Sequence, residues 1–184
     1  MVPSKRRIGN GSSRIACHRL RCFQPVDRPA FRGQGLALPE LRGMRVLVIH
    51  GPNLNLLGER EPGVYGTQTL AQIDELIERT ASSLGIEVRI QQHNDEGGIV
   101  DAIHAARKDC GAIVINPGAY GHYSYAIADA IAAVAIRAIE VHLSNVYSRE
   151  AFRRESVVAP VCAGSIAGFG PLSYVLALHA AAAR

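Results

Sequence analysis

No stretch of this sequence sustains the roughly 18 apolar residues that a membrane-crossing helix needs, so no transmembrane helix is expected. Its four cysteines, Cys17, Cys22, Cys110 and Cys162, form no C-x-x-C pair and no zinc-like spacing. Reduced thiols in a cytoplasmic protein are the expectation. H-E-x-x-H is missing, which removes the helical zinc motif, and His50, His122 and His142 are too scattered to make another. G-x-x-x-x-G-K-[ST] is missing too, and no G-x-G-x-x-G follows the first apolar run, which weakens a nucleotide reading. There is no internal repeat of fixed period. Acidic residues are scarce at one end: residues 1–43 hold nine Lys or Arg against Asp27 and Glu40 alone.

That scarcity divides the chain. Residues 44–184 carry eleven basic and fourteen acidic side chains, a balance of −3, so the formal net charge of +4 arises from the +7 of the first 43 residues. A basic balance of this origin does not describe a nucleic-acid-binding face on a folded body, and no nucleic-acid partner is expected. Residues 1–43 are expected to form a disordered basic extension, lacking lasting periodicity and containing several Gly, Pro and Ser. Met44 stands immediately before the first strand and fits a start site; a flexible tail and an organelle-targeting segment are the other readings. The remainder, 44–184, suits one catalytic domain with length enough for a sizeable core.

From Met44 on, strand and helix patterns alternate. Arg45–His50, Glu87–Gln91, Ala112–Asn116 and Ala138–His142 read as strands, and a fifth is expected around Val157–Val161. Helices are expected over Leu70–Leu84, with Thr69 as cap and Gly85 as stop, and over Gly97–Asp109, Ser124–Ala135 and Pro171–Ala183, with a short one near Arg149–Glu155. Such alternation predicts an α/β fold: a flavodoxin-like, doubly wound, five-stranded parallel sheet with helices on both faces. Gly164–Gly170 (GSIAGFG) reads either as a tight turn with close backbone packing or as a phosphate cradle.

Ligands in that architecture bind beyond the carboxyl ends of the strands. His50, Asn53, Asn55, Arg60 and Tyr65 follow the first strand, on the long mixed loop GPNLNLLGEREPGVYG. His93, Asn94 and Glu96 follow the second strand, and Asn116, Gly118 and His122 the third. His142, Ser144, Asn145, Arg149 and Arg153 follow the fourth. Amides, imidazoles, guanidiniums and hydroxyls with few carboxylates suit a small, oxygen-rich anion better than a metal ion. Taken singly, each residue has a plain reading as a turn amide, a strand-end histidine or a solvated charge; the convergence of four loops is what points to a site.

The motifs GPNLNLLG, REPGVYG, QHNDEGGIVD, NPGAYGHYS, IEVHLSN and REAFRRES, in this order and spacing, resemble the type II 3-dehydroquinate dehydratase family over essentially all of residues 44–184. The resemblance implies a flavodoxin-like subunit, a dodecamer built as a tetramer of trimers, no metal or organic cofactor, and loss of water from 3-dehydroquinate through an enolate. Tyr65 matches the family's base, and Arg60 its activator. An ordinary Tyr ionises near pH 10, so at pH 7 the phenolate costs about 4 kcal/mol, which a nearby guanidinium lowers. Asn53 is placed to orient a water or donate toward the enolate oxygen, His142 matches the family's proton donor, and Glu140, two residues earlier on the same strand face, is placed to hold that imidazole or to form a structural ion pair. Asn116, His122 and Arg153 match substrate-binding residues, and Leu143 and Ser144 the pair that holds the substrate carboxylate. Arg149 matches a further family arginine. Asp129 matches a residue that reaches a neighbouring subunit's site. The chain departs from the family at Gly121, Tyr123, Tyr125 and Ala128. The competing expectation is a flavodoxin-like protein binding FMN or another phosphate ligand, which needs a phosphate-cradling loop after the first strand.

Overall fold

Alternation inside the strands sets the layers. In β1 (Arg45–His50), Val46 and Val48 share one face and Leu47 and Ile49 the other, and all four are fully buried. A strand apolar on both faces must be covered twice. The computed structural model describes residues 43–59 and 68–183, all within one compact unit, Gly33–Arg184. The expected N-terminal extension (apart from Gly43), Arg60 and Tyr65 lie outside the described residues.

The other strands are β2 (Glu87–Gln92), β3 (Ala112–Asn116), β4 (Arg137–His142) and β5 (Gly164–Ala167). All pair in parallel in the order β2-β1-β3-β4-β5, the flavodoxin-like arrangement expected, with its switch point between β1 and β3. The helices are α1 (Leu70–Leu84), α2 (Glu96–Ala106), α3 (Tyr125–Val134) and α4 (Leu172–Ala182). Val46, Val48, Val114 and Val141 pack with Ile73 and Ile77 of α1 and with Tyr174 and Leu178 of α4. Leu47, Ile49, Ile113 and Ile115 pack with Ile99 and Ile103 of α2 and with Ile127 and Ile131 of α3. Each such side chain contributes about 1.5–3 kcal/mol on burial.

Local chemistry caps α1 where the sequence indicates and starts α2 and α3 beside their expected first residues. Thr69 and Gln72 form a reciprocal capping box at α1, and Gly85 closes it at φ 68°, a left-handed conformation that glycine adopts at least cost. Asp95 accepts from the Gly98 N–H at α2, and Ser124 from the Ile127 N–H at α3. At the amino rim of the sheet, Arg45 bridges Glu87 at 2.8 Å and Asp109 at 2.6 Å, and Arg89 reaches the same Asp109 at 3.0 Å. This pull on Asp109 accompanies an α2 that stops at Ala106, short of the expected Asp109. Cys110 and Cys162 are free thiols, pushed up by burial to about 11 and about 12.

The fifth strand is displaced from its expected place. Residues 157–161 hold a 3-10 turn, Ala159–Val161, and β5 begins at Gly164. Pro160 has no N–H to give a ladder, and the Ser156 hydroxyl draws in the N–H groups of Val158 and Ala159 at 3.1 and 2.9 Å, turning the chain. Among the described residues, β5 pairs on one side only, with β4. Gly164 and Ser165 are exposed, so the strand lacks the apolar signature of a central one. The expected helix near Arg149–Glu155 is a pair of 3-10 turns, Val146–Ser148 and Ala151–Arg154.

At the switch point, the Gly51 N–H donates to the Asn116 carbonyl at 2.8 Å. A Cβ on Gly51 would stand 2.7 Å from that oxygen and 2.7 Å from the Pro117 carbonyl carbon. Both obstacles are backbone, so a side chain forces β1 and β3 apart. Gly51→Ala is expected to cost roughly 1–3 kcal/mol in urea unfolding and to lower ligand affinity at the carboxyl ends, whereas Gly164→Ala, where nothing lies within 4 Å, should be tolerated.

Candidate active site

The loop leaving β1 is closed on itself. Asn53 sits at φ 64°, a left-handed conformation that Asn tolerates better than most residues. Its N–H donates to Asn94 Oδ1 at 2.9 Å, and Gln92 Nε2 donates to the same oxygen at 2.9 Å. The N–H groups of Leu54, Leu56, Leu57 and Glu59 each donate back within the loop, and Pro52 has none. A phosphate cradle needs free N–H groups converging on the anion. These are spent, which argues against the phosphate-ligand reading. Gly164–Gly170 supplies β5 and then a turn in which Gly168, at φ 97°, packs on the Asn145 backbone. None of these residues lines the cleft described next.

The cleft opens beyond β1, β3 and β4, with a volume of about 160 Å³, room for a small organic molecule rather than one water. Its polar lining comes from Asn53, Asn116, His122, His142, Ser144, Arg149 and Arg153, and its apolar floor includes Leu54, Leu57 and Leu143. Among the described residues, no carboxylate belongs to the lining. Among the described residues, no group of three His, Cys, Asp or Glu side chains is placed to share a metal ion.

Period two along β4 puts Glu140 and His142 on one face. Glu140 is completely buried, and its Oε1 accepts from His142 Nε2 at 2.8 Å and from the Ser156 hydroxyl at 2.9 Å. With Nε2–H engaged by a carboxylate, Nδ1 is the His142 nitrogen left for the cleft. The His122 ring lies parallel to His142, 12° between planes and 6.2 Å between centroids. His122 Nδ1 is 2.8 Å from the Glu155 carbonyl. A carbonyl only accepts, so His122 carries its proton on Nδ1 and its Nε2 is free for a ligand. At Gly121 a Cβ would meet Pro117 at 2.9 Å and Glu140 Oε1 at 3.2 Å, so the pair is packed against a position that lacks a side chain.

Glu150 gathers the guanidiniums. Arg153 Nε lies 2.9 Å from its Oε2, and Arg149 Nε 3.5 Å from the same oxygen. Glu150 is held below the usual carboxylate range, chiefly by its own backbone hydrogen bond and then by Arg153. Arg153 also lies over the Phe152 ring, 4.7 Å from its centroid, and the edge of that ring meets His122. The arginines therefore stand in fixed places at the mouth.

Of the residues singled out from the sequence, Asn53, Asn116, His122, His142, Leu143, Ser144 and Arg153 come together around the cleft, and Glu140 lies directly behind His142. Asp129 does not join them; it is exposed on the outer side of α3 with Tyr125, Ala126, Ala132 and Ala133. His50, which follows the same edge in sequence, turns away into the core and bonds Tyr174 and Asp74. Sequence reasoning missed Ser156, whose only signal is its place before an apolar run, and missed Asp74 and Tyr174, which lie on helices and carry no strand-end signal.

A parallel 2-1-3-4-5 sheet with a cationic, amide-lined cleft and a carboxylate-held imidazole at its carboxyl edge defines an α/β enzyme that handles a small oxygenated anion. The model of the family described as Dehydroquinase class II matches residues 44–182. A 3-dehydroquinate dehydratase of Pelotomaculum thermopropionicum is 55% identical over 140 residues, covering 76% of this chain and 97% of the relative. One from Caldanaerobacter subterraneus subsp. tengcongensis is 57% identical over 136 residues, covering 74% and 92%. The crystal structure of the type II dehydroquinase from Butyrivibrio crossotus superposes with a TM-score of 0.74 at 49% identity, covering 75% of this chain and 97% of that one. The chain belongs to the class II dehydroquinase family.

Ser156 offers a test of the wall behind the cleft. Its hydroxyl supports Glu140 Oε1 and two backbone N–H groups. Ser156→Ala is expected to lose about 1–3 kcal/mol in urea unfolding at pH 7, with Ser156→Thr recovering part of it.

Proposed function

We propose that this protein is a 3-dehydroquinate dehydratase, removing water from 3-dehydroquinate to give 3-dehydroshikimate. The observation that carries the reading is the Glu140–His142 pair at 2.8 Å, set behind a cleft whose described residues line it with cations, amides and hydroxyls but no carboxylate.

In the proposed reaction the Tyr65 phenolate, favoured by Arg60, takes a proton from the carbon next to the ketone. The electron pair moves into the carbonyl, and the enolate oxygen is stabilised by Asn53 directly or through a water it orients. His142, held on Nε2–H by Glu140, gives the proton on Nδ1 to the hydroxyl at the neighbouring carbon. The C–O bond breaks, water leaves, and the enolate pair closes the new double bond. Tyr65 then returns its proton to solvent and His142 recovers one, so the enzyme ends as it began. Asn116, His122 and Arg153 hold the substrate hydroxyls, and the Leu143 backbone with the Ser144 hydroxyl holds its carboxylate. Arg149 adds positive charge at the mouth. Arg60 and Tyr65 are assigned on their sequence match alone. Every group needed is a side chain or backbone amide, so no metal or organic cofactor is required.

The partner reading follows from α3. Asp129 is an exposed carboxylate on an alanine-rich outer face, away from its own cleft, and Tyr123 and Tyr125 are 60% and 71% exposed beside it. Such a face fits a subunit contact, with Asp129 serving a neighbour's site within a trimer and four trimers forming a dodecamer. A cytoplasmic setting suits the reaction. Among the described residues no helix is long and apolar enough to cross a membrane. Residues 44–184 are proposed as the catalytic domain and 1–43 as a dispensable extension.

The test is ultraviolet absorbance of the conjugated product on mixing protein with 3-dehydroquinate. Turnover is expected to survive EDTA. Tyr65→Phe should reduce kcat by at least about a hundredfold, the lower range for general base removal, with KM little changed; a fully active Phe variant or complete inhibition by EDTA overturns the mechanism. A chain starting at Met44 should keep its kcat/KM and sediment as the same oligomer as the full chain, and an insoluble or inactive product would contradict the domain assignment.

A further inference from the structure

We propose that Asn94, just past the end of β2, is a positioning residue for Asn53: its side-chain oxygen holds the β1 loop in the backbone form that presents the Asn53 amide to the cleft. The kinetic consequence rests on the dehydratase reading; the contact itself does not.

Asn53 is placed unusually for an asparagine. It stands at the start of the 3-10 turn Leu54–Leu56, where an Asn side chain ordinarily accepts from the first N–H groups, yet it makes no such bond. The residue lines the cleft instead. Its backbone is left-handed, φ 64° and ψ 3°, a form that a residue other than glycine keeps when its surroundings impose it. Both polar groups of its main chain are held. The Asn53 carbonyl accepts from the Leu56 N–H at 3.2 Å, inside the loop. The Asn53 N–H donates out of the loop, to Asn94 Oδ1 at 2.9 Å. Rotation of the Pro52–Asn53 peptide plane, the movement that releases the left-handed form, breaks that second bond.

Asn94 is itself anchored. Gln92 Nε2 donates to the same Oδ1 at 2.9 Å. A backbone N–H can only donate, so the Asn94 atom that faces Asn53 is the amide oxygen, and both of its lone pairs are engaged. The Tyr120 hydroxyl donates to the Asn94 main-chain carbonyl at 3.2 Å, and Tyr120 belongs to the 3-10 turn Gly118–His122 that follows β3. One residue thus ties together the chain ends of β1, β2 and β3, although it does not itself line the cleft.

Asn94 is exposed, and replacing an exposed side chain ordinarily costs a fold little. An Asn94 that only decorates the surface is therefore replaceable without loss of rate. A positioning Asn94 is not. Enolate charge appears only after the proton has been removed, so a displaced Asn53 amide slows the chemistry without loosening the bound substrate.

The test is Asn94→Ala in the full chain. Its kcat for 3-dehydroquinate is expected to fall about tenfold, short of the roughly hundredfold that a misplacement of about 1 Å brings, with KM and the urea midpoint close to wild type. Asn94→Asp, which keeps an acceptor oxygen in the same place, should restore most of kcat. Asn53→Gly keeps the left-handed form and removes the amide; in that background Asn94→Ala should lower kcat no further, because it acts only through that amide. Gln92→Met, which takes one donor from Asn94 Oδ1, should give a smaller loss of the same kind and supplies the test if the alanine variant does not fold. An unchanged kcat in Asn94→Ala, or effects of Asn94→Ala and Asn53→Gly that multiply, overturns the proposal. A second measurement needs no turnover. In a crystal structure of Asn94→Ala, residue 53 is expected to leave the left-handed region or its amide to leave the cleft; an unmoved Asn53 overturns the proposal whatever the protein catalyses. Absence of dehydration by the wild type sinks the functional reading instead, and that crystal structure still decides the role of Asn94.

Discussion

The arrangement depends on how closely β1 and β3 can approach at their carboxyl ends. The Gly51 N–H meets the Asn116 carbonyl at 2.8 Å where the two strands part company toward opposite sides of the sheet. Because nothing larger than hydrogen fits on Gly51, the loop that carries Asn53 and the turn that carries Gly118 and His122 start from one point. β4 then sets His142 beside them, one strand further along. A cleft lined from three consecutive strands follows from that single backbone contact, and the doubly wound topology provides the divergence that opens it.

Behind the cleft, the molecule accepts a costly feature. Glu140 is a carboxylate with no solvent exposure, and burial of charge is unfavourable unless it is paired and hydrogen-bonded. One oxygen has His142 and Ser156; the other, Oε2, has no hydrogen-bond partner among the described residues. The fold pins this residue between apolar neighbours on a central strand, which fixes the imidazole in front of it. Stability is spent there on orientation, a trade characteristic of sites rather than of cores.

Much of this was legible because local and global signals agreed. Thr69 and Gly85 bracket α1 by capping chemistry alone, and the strand apolar runs name both faces of the sheet. The rule that ligands lie past the strand ends gathers Asn53, Asn116, His122, His142 and Ser144 from the sequence alone. The failures have equally local causes. Val157–Val161 looks like a strand by composition, but Pro160 and the Ser156 hydroxyl make it a turn, and the real edge strand is too polar and glycine-rich to announce itself. His50 stands with the strand-end residues in sequence, but its parity along β1, the same as Val46 and Val48, directs it inward. Asp74 and Tyr174 meet it from helices separated from it in sequence by 24 and 124 positions, a proximity that only the folded chain displays.

The ionic cluster at the amino rim has a consequence for how acid acts on this protein. Asp109 is held below the usual carboxylate range, first by its hydrogen bond from Arg45. A carboxylate depressed in the folded state adds stability above its unfolded value, near pH 4, and that contribution fades only as pH falls through the lower folded value. The groups whose protonation loosens that rim sit at the far end of the strands from those that would bind and transform a ligand. Part of the acid response is thereby placed at the pole of the sheet opposite the cleft, while Glu150, likewise held low by its own backbone hydrogen bond and then by Arg153, places another part at the cleft mouth.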